Sequence, residues 1–168
     1  DALSDAAKRG ERVYFSSEKA GCFQCHGGWN FSGSVRYAEG PVPETEFHNT
    51  GLYNLSGKYS YPERNTGIHQ FTGKTEDIGK FRAPSLRNIA VPAPYMHDGS
   101  IPSLEKVIDH YSAGGRSADN PNKSSVIREF QLTAQEKSDL IEFLKSLTDE
   151  ELLKDPRWSN PWSGTPSP

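Results

Sequence analysis

The 168-residue chain has no run of about 18 apolar residues, so no membrane span is expected. Apolar side chains make up only 33% of it, and the mean hydropathy is −0.74. That is lean for a chain that also carries 15 glycines and 12 prolines, and a large flat apolar group at the centre of the core would relieve the shortage. No strong charge of either sign is present. The net charge is −3, which gives no reason to expect nucleic acid or an anionic lipid surface as a partner. No internal repeat is visible. The opening, Asp1-Ala2-Leu3-Ser4-Asp5, is polar and reads as a mature N-terminus from which an export signal has been removed. The length fits one domain, or one domain with arms. Asn-x-Ser triplets at Asn30, Asn54 and Asn122 have the form of glycosylation acceptors and carry no meaning in a bacterial periplasm.

Only two cysteines are present, and both lie in the run Cys22-Phe23-Gln24-Cys25-His26. A Cys-x-x-Cys-His run is the attachment signal for c-type haem: the thiols add across the two vinyl groups and the histidine ligates the iron. Other readings fit less well. A thioredoxin-like motif wants a strand before it and a helix after it, whereas Gly27 and Gly28 follow here. A structural zinc site wants four ligands. A simple disulfide leaves His26 without a role. One covalent haem c is the expectation, and its attachment outside the cytoplasm implies an exported, periplasmic or extracytoplasmic protein.

Apolar spacing predicts a helix over 4–17, capped by Ser4, with Ala6, Ala7, Val13 and Tyr14 on one face. A second helix is predicted over 103–112, capped by Ser103 and ended by Gly114 and Gly115, with a stripe of Leu104, Val107, Ile108 and Tyr111. A third spans 134–147, where Thr133 and Glu136 form a capping box and Leu140, Phe143, Leu144 and Leu147 form the apolar face. Residues 27–101 read as a long irregular loop wrapped around the haem, and the three prolines within 81–101 exclude a single helix or a central strand there. The expected class is mainly α: a cytochrome c-like haem domain with long irregular loops over 1–148. An extended arm over 149–168 would follow, with Trp158 and Trp162 packing on the domain or on a partner.

His26 fills one axial position, and the occupant of the other decides between ligand binding and electron transfer. Met96, His48, His69, His97, His110 and Tyr111 are the candidates, and spacing favours none strongly. Met96 is equally a gap-filling core residue, and Tyr111 an ordinary buried aromatic. His97 could hydrogen-bond a carbonyl or a haem propionate. His110 points about 100° away from Tyr111 on a helix and is expected to be the more exposed of the two.

Several runs share one further likeness. They are Gly21-Cys-Phe-Gln-Cys-His-Gly-Gly-Trp-Asn-Phe-Ser32, Phe47-His-Asn-Thr-Gly-Leu52, Thr72-Gly-Lys-Thr-Glu-Asp-Ile-Gly-Lys-Phe-Arg-Ala-Pro-Ser-Leu-Arg-Asn88 and Ala93-Pro-Tyr-Met-His-Asp-Gly-Ser100. Together they resemble the C-terminal haem domain of bacterial di-haem cytochrome c peroxidases. Within that family they look closest to the MauG-like branch and its MbnH-type enzymes. His110-Tyr-Ser-Ala-Gly-Gly115 and Phe143-Leu-Lys-Ser-Leu-Thr-Asp149 fit the same branch. The resemblance implies a six-coordinate, electron-storing haem whose distal ligand is Tyr111. Met96 becomes a pocket residue and stands as the alternative ligand. Arg87 first, and Arg82 second, would pair with haem propionates. A calcium ion would take the carbonyls of Pro92 and Pro94, in a ligand set that needs a second domain.

The resemblance also implies a second, peroxidatic haem domain, yet this chain has a single Cys-x-x-Cys-His. The expected function is therefore a mono-haem c-type cytochrome domain for electron transfer, partnered by a redox protein or a second haem domain. The alternative is part of a cytochrome c peroxidase or MauG-like oxidase whose peroxidatic domain is missing here or lies on another chain.

Overall fold

A computed structural model describes residues 2–33, 46–57 and 60–160. Within them run five α-helices: α1 (Asp5–Phe15), α2 (His69–Thr72), α3 (Leu104–Ser112), α4 (Ala134–Ser146) and α5 (Glu150–Lys154). Strands β1 (Phe47–Asn49) and β2 (Lys80–Arg82) pair antiparallel, with Phe47 opposite Arg82 and His48 opposite Phe81. Single 3-10 turns cover Cys22–Gln24, Thr75–Asp77 and Pro156–Trp158. Helix is the main regular structure, but most of the described chain is turn and loop. The expectation of a mainly α fold therefore holds only loosely.

The helix ends follow from their caps. Ser4 Oγ accepts from the Ala7 N–H at 3.1 Å, and Ser103 accepts from the Lys106 N–H. At α4 both halves of the capping box form: Thr133 Oγ1 accepts from the Glu136 N–H and Glu136 Oε2 accepts from the Thr133 N–H. After α3, Gly114 and Gly115 take positive φ and their N–H groups close on the Tyr111 and His110 carbonyls.

Helices α1 and α4 cross in close contact. A Cβ at Gly10 would lie 1.9 Å from the Asp139 carbonyl oxygen, so the backbones meet where only glycine fits. Beside the crossing, Arg9 reaches over α4 to Asp139 with two 2.8 Å bonds, Nε to Oδ2 and Nη2 to Oδ1. Gln135 donates to the same carboxylate. Around this contact Val13, Tyr14, Leu140, Ile141, Phe143, Leu144 and Leu147 form the core, joined by Leu104 and Ile108 of α3 and by Leu52, Tyr61, Tyr95 and Ile101.

Three sequence expectations are corrected here. The stretch 27–101 is not one structureless wrap, because the small sheet and α2 interrupt it; 34–45 and 58–59 lie outside the described residues. Residues 150–158 are not extended. Asp149 accepts from the Glu151 and Leu152 N–H groups and starts α5, and Asp155 caps the turn that follows, a local capping signal that outweighs the prolines beyond it. Trp158 does not pack on the domain, being 72% exposed, while Trp162 lies outside the described residues.

Candidate haem site

Helix α1 ends at Phe15 and leads into Gly21, whose φ of +58° opens the 3-10 turn Cys22–Gln24. The turn closes with the His26 N–H on the Cys22 carbonyl at 2.9 Å. Both thiols are free. Burial pushes Cys22 up to about 12 and Cys25 up to about 11, which keeps both protonated.

His26 is held from two sides. Its Nδ1 lies 2.9 Å from the Pro84 carbonyl, a contact that requires the proton on Nδ1 and leaves the Nε2 lone pair for a metal. Its own carbonyl accepts from the Tyr14 hydroxyl at 2.5 Å. Burial lowers the His26 pKa, so the ring is neutral, the form that ligates. The segment 83–87 is laced to 29–32: Ser32 Oγ donates to the Ala83 carbonyl at 2.9 Å and Ser85 Oγ to the Asn30 carbonyl at 2.7 Å. Pro84 is therefore fixed relative to the histidine it orients. Neither Tyr14 nor Pro84 is marked for such a role by spacing. A tyrosine on the helix face that feeds the motif is its only sequence signal, and for Pro84 there is none beyond its lack of an N–H.

Tyr111 stands on α3, and burial pushes its hydroxyl pKa upward. With Ala20 and Gln24 of the motif segment it lines a cavity of about 30 Å³. Its neighbour His110 is the opposite of what was expected: 6% exposed, against half-buried Tyr111. The physical reason is its partners. Nε2 donates to the Thr50 carbonyl at 3.0 Å and Nδ1 accepts from the Arg116 N–H at 3.1 Å, so the ring ties the end of α3 to the loop after β1. Both nitrogens are used.

Met96 is half-buried against the core with φ +71°. His97 is exposed and stacks on Phe81, with ring centroids 3.7 Å apart. His48 pairs with Glu46 at 3.3 Å, and His69 lies on the short α2 with Nδ1 2.8 Å from the Lys74 carbonyl. Arg87 is exposed, donates to the Trp29 carbonyl at 2.7 Å and lies over the Phe31 ring. Arg82 is exposed at the end of β2. Pro92 and Pro94 are exposed, and the bond before Pro94 is cis. Half-covered apolar side chains, including Leu86, Ile89, Met96, Val107 and Leu132, border the core. Two free thiols, an imidazole with one nitrogen fixed and this apolar margin match what a covalently tethered haem needs.

A helical domain built around a Cys-x-x-Cys-His turn, with its histidine oriented by a proline carbonyl, defines a c-type haem domain. The comparisons narrow the class. Cytochrome-c peroxidase IdrP1 of Pseudomonas sp. strain SCT is 34% identical across 100% of this chain and 47% of its own length. The methylamine utilization protein MauG of Methylophilus methylotrophus is 34% identical, covering 87% of this chain and 38% of that protein. The crystal structure of a MauG-like protein associated with microbial copper homeostasis superposes with a TM-score of 0.90 at 49% identity, covering 95% of this chain and 48% of that one. No protein-family model matches. The chain belongs to the di-haem cytochrome c peroxidase and MauG family and corresponds to the C-terminal half of its members. It spans about half the length of the curated relatives it matches.

Proposed function

We propose that this chain is an electron-transfer haem domain. It would carry one haem c on Cys22 and Cys25, with His26 as proximal and Tyr111 as distal ligand, in a periplasmic or other extracytoplasmic setting. The observation that carries the reading is the 2.9 Å contact between His26 Nδ1 and the Pro84 carbonyl beside two unpaired thiols. The haem would supply a one-electron ferric/ferrous couple. The protein's own residues do the rest. The thiols fix the ring's place. Pro84 and Tyr14 hold His26 so that Nε2 keeps one direction, and a hydrogen-bonded imidazole is a stronger donor. Tyr111 offers an anionic, hard oxygen once its proton leaves, which favours ferric iron and lowers the potential, whereas Met96 as ligand would raise it. With His26 and Tyr111 both holding the iron, peroxide would have no place to bind.

Arg87 spends one guanidinium nitrogen on the Trp29 carbonyl and would keep other N–H donors for a propionate, with Arg82, exposed at the end of β2, as the second candidate. Calcium at the Pro92 and Pro94 carbonyls would need most of its ligands from another domain. The chain's span of about half its relatives favours a second reading, in which this domain works as the electron-storing half of a peroxidase or MauG-like oxidase with a peroxidatic haem domain beside it.

The test is the electronic and EPR spectrum of the ferric holoprotein. The proposal expects low-spin six-coordinate iron with a phenolate-to-iron charge-transfer band and no response to peroxide. A high-spin spectrum that changes rapidly with peroxide would refute the distal assignment.

A further inference from the structure

One hydrogen bond outside the haem motif joins a phenol to a carboxylate. The Tyr53 hydroxyl donates to Asp98 Oδ2 at 2.5 Å. The other carboxylate oxygen accepts from the Ser100 N–H at 3.0 Å, which fixes the acceptor in place. Among the described tyrosines, Tyr53 alone donates its hydroxyl to a carboxylate. Tyr14 donates to a peptide carbonyl and Tyr61 to the amide oxygen of Asn49. Neither of those acceptors can take a proton at ordinary pH, whereas a carboxylate can.

Tyr53 also ends a chain of rings. Its ring meets Tyr61 edge-on at 5.4 Å. Tyr61 lies 6.0 Å from His97 and 6.3 Å from Phe81, and those two are stacked. Phe81 is opposite His48 in the sheet and three residues before Pro84, which holds His26. The rings therefore run without a gap from the segment that orients the proximal histidine to a half-buried phenol.

We infer that Tyr53 and Asp98 form a proton-coupled redox pair, in which Tyr53 is the residue of this chain that an electron hole reaches and rests on. The step balances. One electron leaves Tyr53 for an oxidant of peroxide level, which, resting on the second reading above, is the peroxide-oxidised haem of a partner peroxidatic domain. The Tyr53 O–H bond breaks and its proton passes to Asp98 Oδ2, giving a neutral tyrosyl radical and a neutral carboxylic acid. Return of an electron from a donor reverses both. Tyr61, Phe81 and His97 provide ring-to-ring coupling; Tyr61 does not trap the hole because its acceptor is an amide. Hydrogen bonding to Asp98, followed by burial, raises the Tyr53 pKa, so the phenol enters the step protonated. Burial acts to raise Asp98, yet the bonds from Tyr53 and Ser100 bring it below the usual carboxylate range, so it starts as an empty acceptor.

The experiment uses the holoprotein with a photogenerated ruthenium(III) polypyridyl complex as external one-electron oxidant, read by freeze-quench EPR. The readout then does not depend on which side chain ligates the iron, and failure here is separable from failure of the haem assignment. The wild type is expected to give a neutral tyrosyl radical whose yield is flat between about pH 6 and 8, where the carboxylate is ionised. Tyr53→Phe should remove most of that tyrosyl signal and leave the signals of the exposed Trp29 and Trp158. Asp98→Asn keeps an oxygen for the Ser100 N–H but cannot take a proton; its tyrosyl yield should fall several-fold and rise with pH and buffer concentration. An unchanged yield in Tyr53→Phe, or an unchanged yield and pH profile in a folded Asp98→Asn, overturns the pair.

Discussion

Tyr14 shows how one hydroxyl serves the site through a backbone atom, the carbonyl of His26. It is fully buried, its ring meets Phe31 and Phe143, and its hydroxyl satisfies the His26 carbonyl. Tyr14→Phe keeps the ring and leaves that carbonyl unpaired. A loss of about 1–3 kcal/mol is expected, measured by denaturant unfolding with the haem attached, along with a broadened axial-ligand signature in EPR. Tyr111→Phe tests the distal side. The charge-transfer band should vanish and the iron become five-coordinate or recruit Met96, and an unaltered spectrum removes Tyr111 from the site. These two tyrosines also mark what a sequence can and cannot disclose. Cys22, Cys25 and His26 declare their chemistry by spacing alone. Tyr14 and Pro84 act through contacts 12 and 58 residues away in the chain, and such pairings have no local pattern.

Elements built from local rules were legible. Ser4, Ser103 and the Thr133–Glu136 box start helices where capping chemistry places them, and the apolar faces of α3 and α4 follow the 3.6-residue period. The crossing of α1 on α4 was not legible, because Gly10 in a helix reads as a weak point rather than a contact. Gly10→Ala separates the two meanings. Propensity alone would stabilise α1 by about 1 kcal/mol. Contact with the Asp139 carbonyl oxygen predicts the reverse, a loss of about 1–3 kcal/mol from forced separation of the helices, and thermal melting decides the sign. The burial of His110 was missed for a related reason: periodicity on α3 says nothing about the Thr50 carbonyl waiting on the other side. The helix α5 is only five residues long, and its one local signal, the Asp149 cap, stands beside prolines and tryptophans that read as extended chain.

Across the whole molecule, the small sheet and the haem turn are tied to the helical core by side-chain bonds more than by ladders. The fully buried Asn49 donates to the Ile78 carbonyl and accepts from the Gly51 N–H and the Tyr61 hydroxyl. Asp139 links α1 and α4, and its hydrogen bond to Arg9 holds its pKa below the usual carboxylate range. A carboxyl lowered in the folded state contributes stability that is present above its unfolded pKa and lost as pH falls through the folded value. Thermal stability should therefore drop with acid below about pH 4, and Arg9→Gln should remove part of that slope in a series of melts.

The outline of the fold came from the helices and the pentapeptide, while the order of the middle stretch rests on contacts between residues far apart in the chain, such as Ser32 with Ala83 and Ser85 with Asn30, which leave no local pattern. The proposed cofactor is the central claim. The most direct measurement is the mass of the exported protein after denaturation, from a host that attaches haem to Cys-x-x-Cys-His sites. The account predicts the chain plus one haem, retained through denaturation and lost when Cys22 and Cys25 are both replaced by alanine. A mass equal to the bare polypeptide, with no porphyrin bound, would contradict it.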